Sequence, residues 1–201
     1  MSPRITRAQL AAAEIGVFFR PRDLERLGIS FKQLQQLVSK GTVEKLGKGL
    51  YRLADVEPTE DETVAMVASA VPNAIICLLT ALRVHEIGTQ SPHEVWIALD
   101  RKGRKPTRVP TKLRIVRFSG AMLTYGVVKR SMLGVSVSIT SPARTIVDCF
   151  RYRNKVGIDV AMEALRDAVR TRKATVSDLS RAADVCRIRT VMMPYLEALS
   201  E

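Results

Sequence analysis

Cysteine, histidine and aromatic residues are all scarce in this chain of 201 residues. The three cysteines, Cys77, Cys149 and Cys186, form no Cys-x-x-Cys pair, and the only histidines are His85 and His93. An odd number of scattered cysteines argues against a disulfide framework, so we expect three reduced, buried thiols. A structural zinc site needs four clustered Cys or His ligands. We therefore predict neither a metal site nor a cofactor.

Long apolar runs are also missing. No stretch of about 18 uncharged apolar residues occurs, so no membrane span is expected. The first ten residues lack the apolar run and the small-residue cleavage site of a signal peptide. We expect a cytoplasmic protein that has no membrane partner.

Positive charge is what the sequence has in excess. Lys and Arg outnumber Asp and Glu by 12, and the isoelectric point is about 10.1. Residues 101–130 contain ten Lys or Arg and no acidic residue, whereas residues 56–100 contain one Arg and seven acidic residues. Such an excess favours an anionic partner such as nucleic acid. The alternative is an ordinary soluble basic surface, because net charge does not determine fold.

Residues 1–56 have the pattern of a winged helix-turn-helix domain. A first helix is predicted to begin at Ser2 and to end near Gly16, and a second short helix ends at Gly28. The second helix is expected to direct Leu24 and Leu27 into the core. A third helix begins after Ser30, a good N-cap residue, and ends at Gly41. Its predicted buried stripe consists of Phe31, Leu34, Leu37 and Val38.

That stripe leaves amide and ammonium groups on the outer face of the third helix, and a basic β-hairpin around residues 46–48 follows. In a helix-turn-helix the recognition helix enters the major groove of DNA, where Gln can pair bidentately with adenine. We expect base contacts from Gln33 and Gln36 above all. The other predicted DNA-binding residues here are Ser30, Lys32, Lys40, Lys45, Lys48 and Arg52. The alternative is that these side chains are ordinary solvent-facing residues.

Residues 57–201 predict a larger α+β domain with a central mixed sheet and C-terminal helices. Thr59 and Glu62 have capping-box spacing at the start of a helix that runs to about Ala70. A helix with Ile75, Leu78, Leu79 and Leu82 on one face is predicted next, followed by strands in HEVWIALD, KLRIVRF and GVSVSIT. Four helices complete the prediction, the first capped by Ser141 with Pro142 at its first position. The others lie near residues 157–171, 176–186 and 188–200, and Pro194 is expected to kink the last one or to start a new helix.

Several stretches together resemble the AbiE-type (AbiEi) family of antitoxins and transcriptional regulators. They are GISFKQLQQLVSKGTVEKLGKGLYRL, CLLTALRVHEIG, HEVWIALDRKGRKP and, most specifically, VSITSPARTIVDCFRY. The family's recognition-helix and wing positions match residues 30–40 and 45–52. The resemblance implies a two-domain repressor from a bacterial toxin–antitoxin operon, whose N-terminal domain binds inverted repeats in double-stranded promoter DNA.

The resemblance also implies that the C-terminal domain counteracts a nucleotidyltransferase-like toxin. Such systems are described as type IV, in which the two proteins need not form a stable complex. No heptad pattern suggests a coiled-coil dimer. We expect a monomer in solution that binds cooperatively to DNA.

Two sites are predicted in the second domain. The cations Arg101, Lys102, Arg104 and Lys105 are expected to bind DNA phosphates with little sequence preference. The alternative is that they meet an acidic partner such as the toxin or its tRNA substrate. Arg144 and Asp148 lie one helical turn apart and can form an ion pair that fixes the helix against the sheet. The alternative makes Arg144, Thr145 and Asp148 part of an antitoxin surface.

Two other functions remain open at this stage. One is a stand-alone winged-helix regulator without a toxin partner. The other is a metal-dependent nuclease, whose chemistry needs clustered carboxylates and a nearby Lys. The only plausible set for it is Glu86, Glu94, Asp100 and Lys102. No second acid follows Asp100 closely and the next segment is strongly basic, so we predict no enzymatic activity and no catalytic residue.

Overall fold

The computed structural model describes residues 15, 17–47, 49–54, 61–107 and 109–199. These residues form helices and two β-sheets, and the predicted α+β fold class is confirmed. The chain divides into two compact units. The first comprises the chain up to Pro72 together with Lys105–Thr111 and Ser131–Val137, and the second comprises Asn73–Arg104, Lys112–Arg130 and Ser138–Glu201. The predicted first helix, Thr59 of the predicted capping box and the predicted domain boundary after residue 56 lie outside the described residues.

The first unit combines short helices with a three-stranded antiparallel sheet in the order β1-β3-β2. Its elements are β1 (Phe18–Phe19), α1 (Pro21–Glu25), α2 (Phe31–Ser39), β2 (Val43–Gly47), β3 (Leu50–Leu53) and α3 (Glu62–Ala70). The buried cluster that holds them together consists of Phe19, Leu24, Ile29, Leu34, Leu37, Val43, Tyr51 and Leu53. The two helices α1 and α2 and the hairpin β2–β3 thus occur in the predicted order.

Local capping explains where α1 and α3 lie. The Asp23 carboxylate accepts a hydrogen bond from the Arg20 backbone N–H at 2.8 Å, and Pro21 begins the helix. The Arg20 Nη2 donates to the carbonyls of Ser69 and Ala70 at 2.8 and 2.6 Å, and so supplies a donor for the C-terminal carbonyls of α3. The prediction for Leu27 was wrong: its side chain is 43% exposed, because the chain leaves the helix at residue 26 and turns at Gly28, where φ is +74°.

The second unit is built around a five-stranded mixed sheet in the order β6-β5-β4-β8-β7. Its strands are β4 (Ile75–Ile76), β5 (Val95–Asp100), β6 (Leu113–Phe118), β7 (Val127–Met132) and β8 (Val135–Thr140). The ends of β7 and β8 at the connecting turn belong to the first unit. The helices are α4 (Leu78–Val84), α5 (Pro142–Arg151), α6 (Arg153–Val156), α7 (Ile158–Arg170), α8 (Val176–Val185) and α9 (Arg189–Glu197), with a 3₁₀ turn at Gly120–Leu123.

Most of these elements match the prediction, and the exceptions have physical causes. Ile75 is not helical: together with Ile76 it forms the short central strand β4, antiparallel to β5 and parallel to β8. Strand β7 was missed, because four of its six residues are exposed and no alternation marks a buried face. Pro194 lies inside α9 and does not start a new helix.

The core of the second unit surrounds α5. Every residue of α5 from position 144 to position 150 is buried. The three cysteines are free and buried, as predicted, and burial raises the pKa of each thiol. In the described part of the chain, no helix is long and apolar enough to cross a membrane.

Candidate nucleic-acid interface

Helix α2 presents one buried and one polar face. Leu34 and Leu37 are buried in the core of the first unit. At 3.6 residues per turn, the opposite face carries polar side chains that are exposed to solvent. They are Lys32, Gln35, Gln36, Ser39 and Lys40. The exposed amide and ammonium groups predicted for this helix are therefore present. The prediction for Phe31 was wrong, because this aromatic side chain is exposed rather than buried.

Ser30 and Gln33 form a capping box at the start of α2. The Gln33 Oε1 accepts hydrogen bonds from the backbone N–H of Ser30 at 2.8 Å and from its hydroxyl at 3.0 Å. The Gln33 N–H donates to the Ser30 Oγ at 3.4 Å. Bidentate pairing with adenine needs both the oxygen and the nitrogen of an amide. The capping role therefore conflicts with the base contact predicted for Gln33, whereas the exposed Gln36 side chain has no such role among the described residues.

The hairpin β2–β3 presents one of its predicted cations and retains another in an ion-pair network. Lys45 is exposed, and Lys48 lies outside the described residues. The Arg52 Nη2 lies 2.6 Å from the Glu44 Oε2 on the paired strand, and its Nη1 contacts Glu62 at the start of α3. The hydrogen bond with Glu44 is the largest cause of the raised pKa of Arg52. With two carboxylates bound and a side chain only 21% exposed, Arg52 is not the free phosphate ligand that was predicted.

The basic loop that follows β5 is fixed by hydrogen bonds between side chains and its backbone. The side chains of Arg101, Lys102, Arg104 and Lys105 are all exposed, and none pairs with an acidic residue in the described part of the chain. The Arg117 Nη1 donates to the carbonyls of Asp100 at 2.8 Å and Gly103 at 2.7 Å. The Asp100 carboxylate accepts a bond from the Lys102 N–H at 2.7 Å. The loop conformation is thus stabilised while its four predicted cations remain available to an anion.

Arg144, Thr145 and Asp148 are fully buried, so the predicted antitoxin surface on these residues was wrong. The predicted ion pair is confirmed: the Arg144 Nε lies 3.0 Å from both carboxylate oxygens of Asp148. The Thr145 hydroxyl donates to the carbonyls of Thr140 and Ser141 at the start of α5. Because Arg144 also donates to the carbonyls of Met122 and Tyr125, these side chains join the helix to the end of β8 and to the loop before β7.

The carboxylates considered for a nuclease do not cluster into a metal site. Glu94 precedes β5 and Asp100 ends it, which at about 3.3 Å per residue separates them by roughly 20 Å. Glu86 pairs with Lys173, with 3.6 Å between its carboxylate and the Nζ. In the described ranges, no three His, Cys, Asp or Glu residues come close enough to hold a metal ion.

The comparison with known families points to the same region as the geometry of α2 and the hairpin. Residues 7–54 match the family model described as "Transcriptional regulator, AbiEi antitoxin". The predicted family resemblance is confirmed over these residues. The matched segment includes α1, α2, β2 and β3, which carry the exposed polar face and the hairpin. No curated protein matches the chain.

Among the solved structures, one that the chain resembles is the crystal structure of the RV2827C protein from Mycobacterium tuberculosis. The TM-score is 0.59 at 13% sequence identity, and the alignment covers 92% of this chain and 75% of that one. At this identity the likeness establishes the fold alone.

Three exposed residues of α2, Phe31, Gln35 and Ser39, were missing from the predicted site. Gln35 lies on the exposed face, and Phe31 begins the helix. The sequence contained a usable signal for Gln35 and Ser39, because both lie outside the Leu34–Leu37 stripe. The exposure of Phe31 had no such signal, since its spacing also fits the apolar stripe.

Proposed function

We propose that this protein is a DNA-binding transcriptional repressor and antitoxin that regulates its own operon. Its N-terminal winged helix binds inverted repeats in the promoter, with α2 in the major groove and the hairpin along the phosphate backbone. Its second role is to counteract a nucleotidyltransferase-like toxin. The observation that carries the DNA-binding part is the exposed Lys- and Gln-rich face of α2, in the same segment that matches a family of transcriptional regulators.

The physical support for DNA binding is that the side chains that hold α2 in place differ from those that it exposes to solvent. Leu34 and Leu37 fix the helix to the core, and the Ser30–Gln33 box satisfies the N–H groups of these two residues. The exposed side chains are therefore not needed to hold the helix in place. Gln36 and Gln35 have the amide chemistry that reads adenine, and Lys32 and Lys40 have the charge that neutralises phosphates.

Footprinting on the DNA upstream of the protein's own gene tests this proposal. We expect protection of two half-sites in inverted orientation, which weakens as the salt concentration increases. A Gln36→Ala variant should lose discrimination among half-site sequences while it retains salt-dependent DNA binding. Absence of protection by the wild-type protein even in low salt would contradict the proposed DNA-binding function.

The antitoxin part rests on the family description and needs its own experiment. The gene next to that of this protein, if it encodes a nucleotidyltransferase-like protein, is expressed with and without this protein, and cell growth is measured. We expect growth arrest that this protein relieves. A promoter-binding protein that fails to relieve toxicity would instead be a stand-alone regulator, which the match over residues 7–54 supports equally well.

A further inference from the structure

Phe31 is the one phenylalanine whose side chain is exposed. The other four, Phe18, Phe19, Phe118 and Phe150, are all buried, whereas 56% of Phe31 remains accessible to solvent. Exposing a large aromatic side chain gives up the free energy that burial would supply. Its position as the first residue of α2, at the N-terminal end of the exposed polar face, therefore calls for a physical explanation.

The local structure of α2 does not use Phe31. The apolar residues on either side of a helix N-cap, at the positions before the cap and four after it, commonly pack together as a hydrophobic staple. Here those positions are held by Ile29 and Leu34, which are both buried in the same cluster. The Ser30–Gln33 box supplies the polar half of the cap. Both stabilising devices of the helix start are thus complete without the Phe31 ring.

The neighbours of Phe31 indicate what the ring meets. Lys32 follows it directly, Gln35 lies one turn further along the same face, and both are exposed. The N-terminal residues of a recognition helix are the ones that contact base edges in the major groove. In that groove only thymine presents a methyl group, and Phe is among the side chains that contact it. The adjacent amide of Gln35 can pair with adenine in the same groove.

We infer that Phe31 is a specificity-determining residue that packs against the C5-methyl group of a thymine in each operator half-site. This inference rests on the proposed DNA-binding function. A protein partner or a second copy of this chain would also cover an apolar ring. DNA is favoured because the exposed Lys32 directly follows the ring at the same end of α2, and its charge complements phosphate. The half-site should therefore contain a thymine that the protein distinguishes from its demethylated analogue, deoxyuridine.

The test uses the full-length protein and duplexes of the DNA upstream of its own gene. Each thymine in the footprint is replaced in turn by deoxyuridine, which removes the methyl group and leaves the pairing edge unchanged. The dissociation constant is measured by fluorescence anisotropy for the wild-type protein and for Phe31→Ala. Leu27→Ala is the matched control, because Leu27 is also an exposed apolar residue, 43% accessible, but lies outside α2.

We expect at least one deoxyuridine position to weaken wild-type binding by about fourfold, the value of one buried methyl group. Phe31→Ala should bind the thymine duplex less tightly than the wild-type protein does, and replacing that thymine by deoxyuridine should not weaken its binding further. Leu27→Ala should still bind the deoxyuridine duplex less tightly than the thymine duplex. Both variants should keep the wild-type melting temperature within about 2 °C, because exposed substitutions perturb stability little.

Three outcomes would overturn the inference. If the wild-type protein binds the upstream DNA but no deoxyuridine weakens it, or if Phe31→Ala keeps the full deoxyuridine effect, the thymine contact is wrong and the proposed function stands. If Phe31→Ala leaves DNA binding intact but changes the oligomeric state or abolishes relief of toxicity, the ring serves a protein interface. If the wild-type protein binds no upstream DNA, the proposed function fails and the inference fails with it.

Discussion

The Arg144 guanidinium and the Asp148 carboxylate form a fully buried pair, one turn apart on α5, in which Nε lies 3.0 Å from both carboxylate oxygens. The Arg144 Nη2 donates to the carbonyl of Met122 at 3.1 Å, and its Nη1 donates to that of Tyr125 at 2.5 Å. The guanidinium also lies 4.9 Å from the centre of the Phe118 ring. One side chain thus joins α5 to the 3₁₀ turn and to β6.

Arg144→Ala should destabilise the second unit by about 3–5 kcal/mol, because it leaves the Asp148 charge and two carbonyls buried without their donor. Chemical denaturation followed by circular dichroism measures this loss. The double variant Arg144→Met with Asp148→Leu is the control. It removes both charges and should be clearly more stable than Arg144→Ala. Equal stability of wild type and Arg144→Ala would contradict the structural role assigned to the pair.

Asp148 also makes stability depend on pH. Burial raises the pKa of its carboxyl group to about 6, although the Arg144 guanidinium opposes the shift. Its unfolded pKa is about 3.9, so between pH 4 and 6 the folded state binds more protons than the unfolded state. The contribution of Asp148 to the free energy of unfolding should therefore decrease as the pH rises through that window, by up to about 1.4 kcal/mol per pH unit.

The measurement compares wild type with Asp148→Asn by chemical denaturation at several values between pH 4 and 6. The comparison is needed because the half-buried His85, whose pKa is lowered mainly by desolvation, acts in the opposite direction. Its contribution is present above pH 6.5 and is lost as the pH falls towards the lowered pKa. In Asp148→Asn stability should fall more steeply on acidification than in wild type. Parallel pH curves for the two proteins would show that Asp148 does not titrate in this window.

The sequence predicted the elements whose own residues determine them. Ser30 as an N-cap residue and the Leu34–Leu37 spacing locate α2, and the buried run in β5 identifies the central sheet. Strand β4 could not be predicted, because two residues carry no period and their pairing depends on β5 and β8. The burial of Arg144 was also out of reach, since its Met122 and Tyr125 acceptors are distant in sequence.

Gln33 and Gln36 should respond differently to the same substitution. Gln33→Ala removes half of the capping box, so we expect a loss of about 1 kcal/mol in the free energy of unfolding and no change in base preference. Gln36→Ala should leave stability within about 0.5 kcal/mol and relax specificity at one base pair by about 1–3 kcal/mol. Denaturation and binding to a panel of single-base operator variants measure the two effects. A base-specific loss in Gln33→Ala would show that the box opens on DNA.

Lys45 and Arg52 form a second matched pair, on paired strands of the hairpin. Lys45→Ala should weaken DNA binding for all sequences alike and reduce the slope of log affinity against log salt by about 0.9. Arg52→Ala should leave that slope unchanged and destabilise the first unit by about 1.5–3 kcal/mol, because Glu44 and Glu62 lose a charged donor. If the slope changes in Arg52→Ala with stability intact, Arg52 releases its carboxylates and binds phosphate.

The basic loop after β5 provides a test of non-specific affinity. Changing Arg101, Lys102, Arg104 and Lys105 together to Ala should weaken operator binding and reduce the salt slope by up to about 3.6, since each neutralised phosphate contributes about 0.9. Sequence preference should not change, because phosphate contacts carry no base information. The four side chains are exposed, so the fold should be retained. Anisotropy titrations at several salt concentrations measure the slope.

The control for this variant must remove the same charge at a distant part of the chain. Arg166, Arg172, Arg181 and Arg187 are exposed in or beside α7 and α8, and changing all four to Ala removes the same four charges. We expect the control protein to keep the wild-type slope. An equal reduction in both variants would assign the effect to net charge rather than to the loop. An unchanged slope in the loop variant would show that these cations do not bind operator phosphates and would favour another partner, such as an acidic protein surface or RNA.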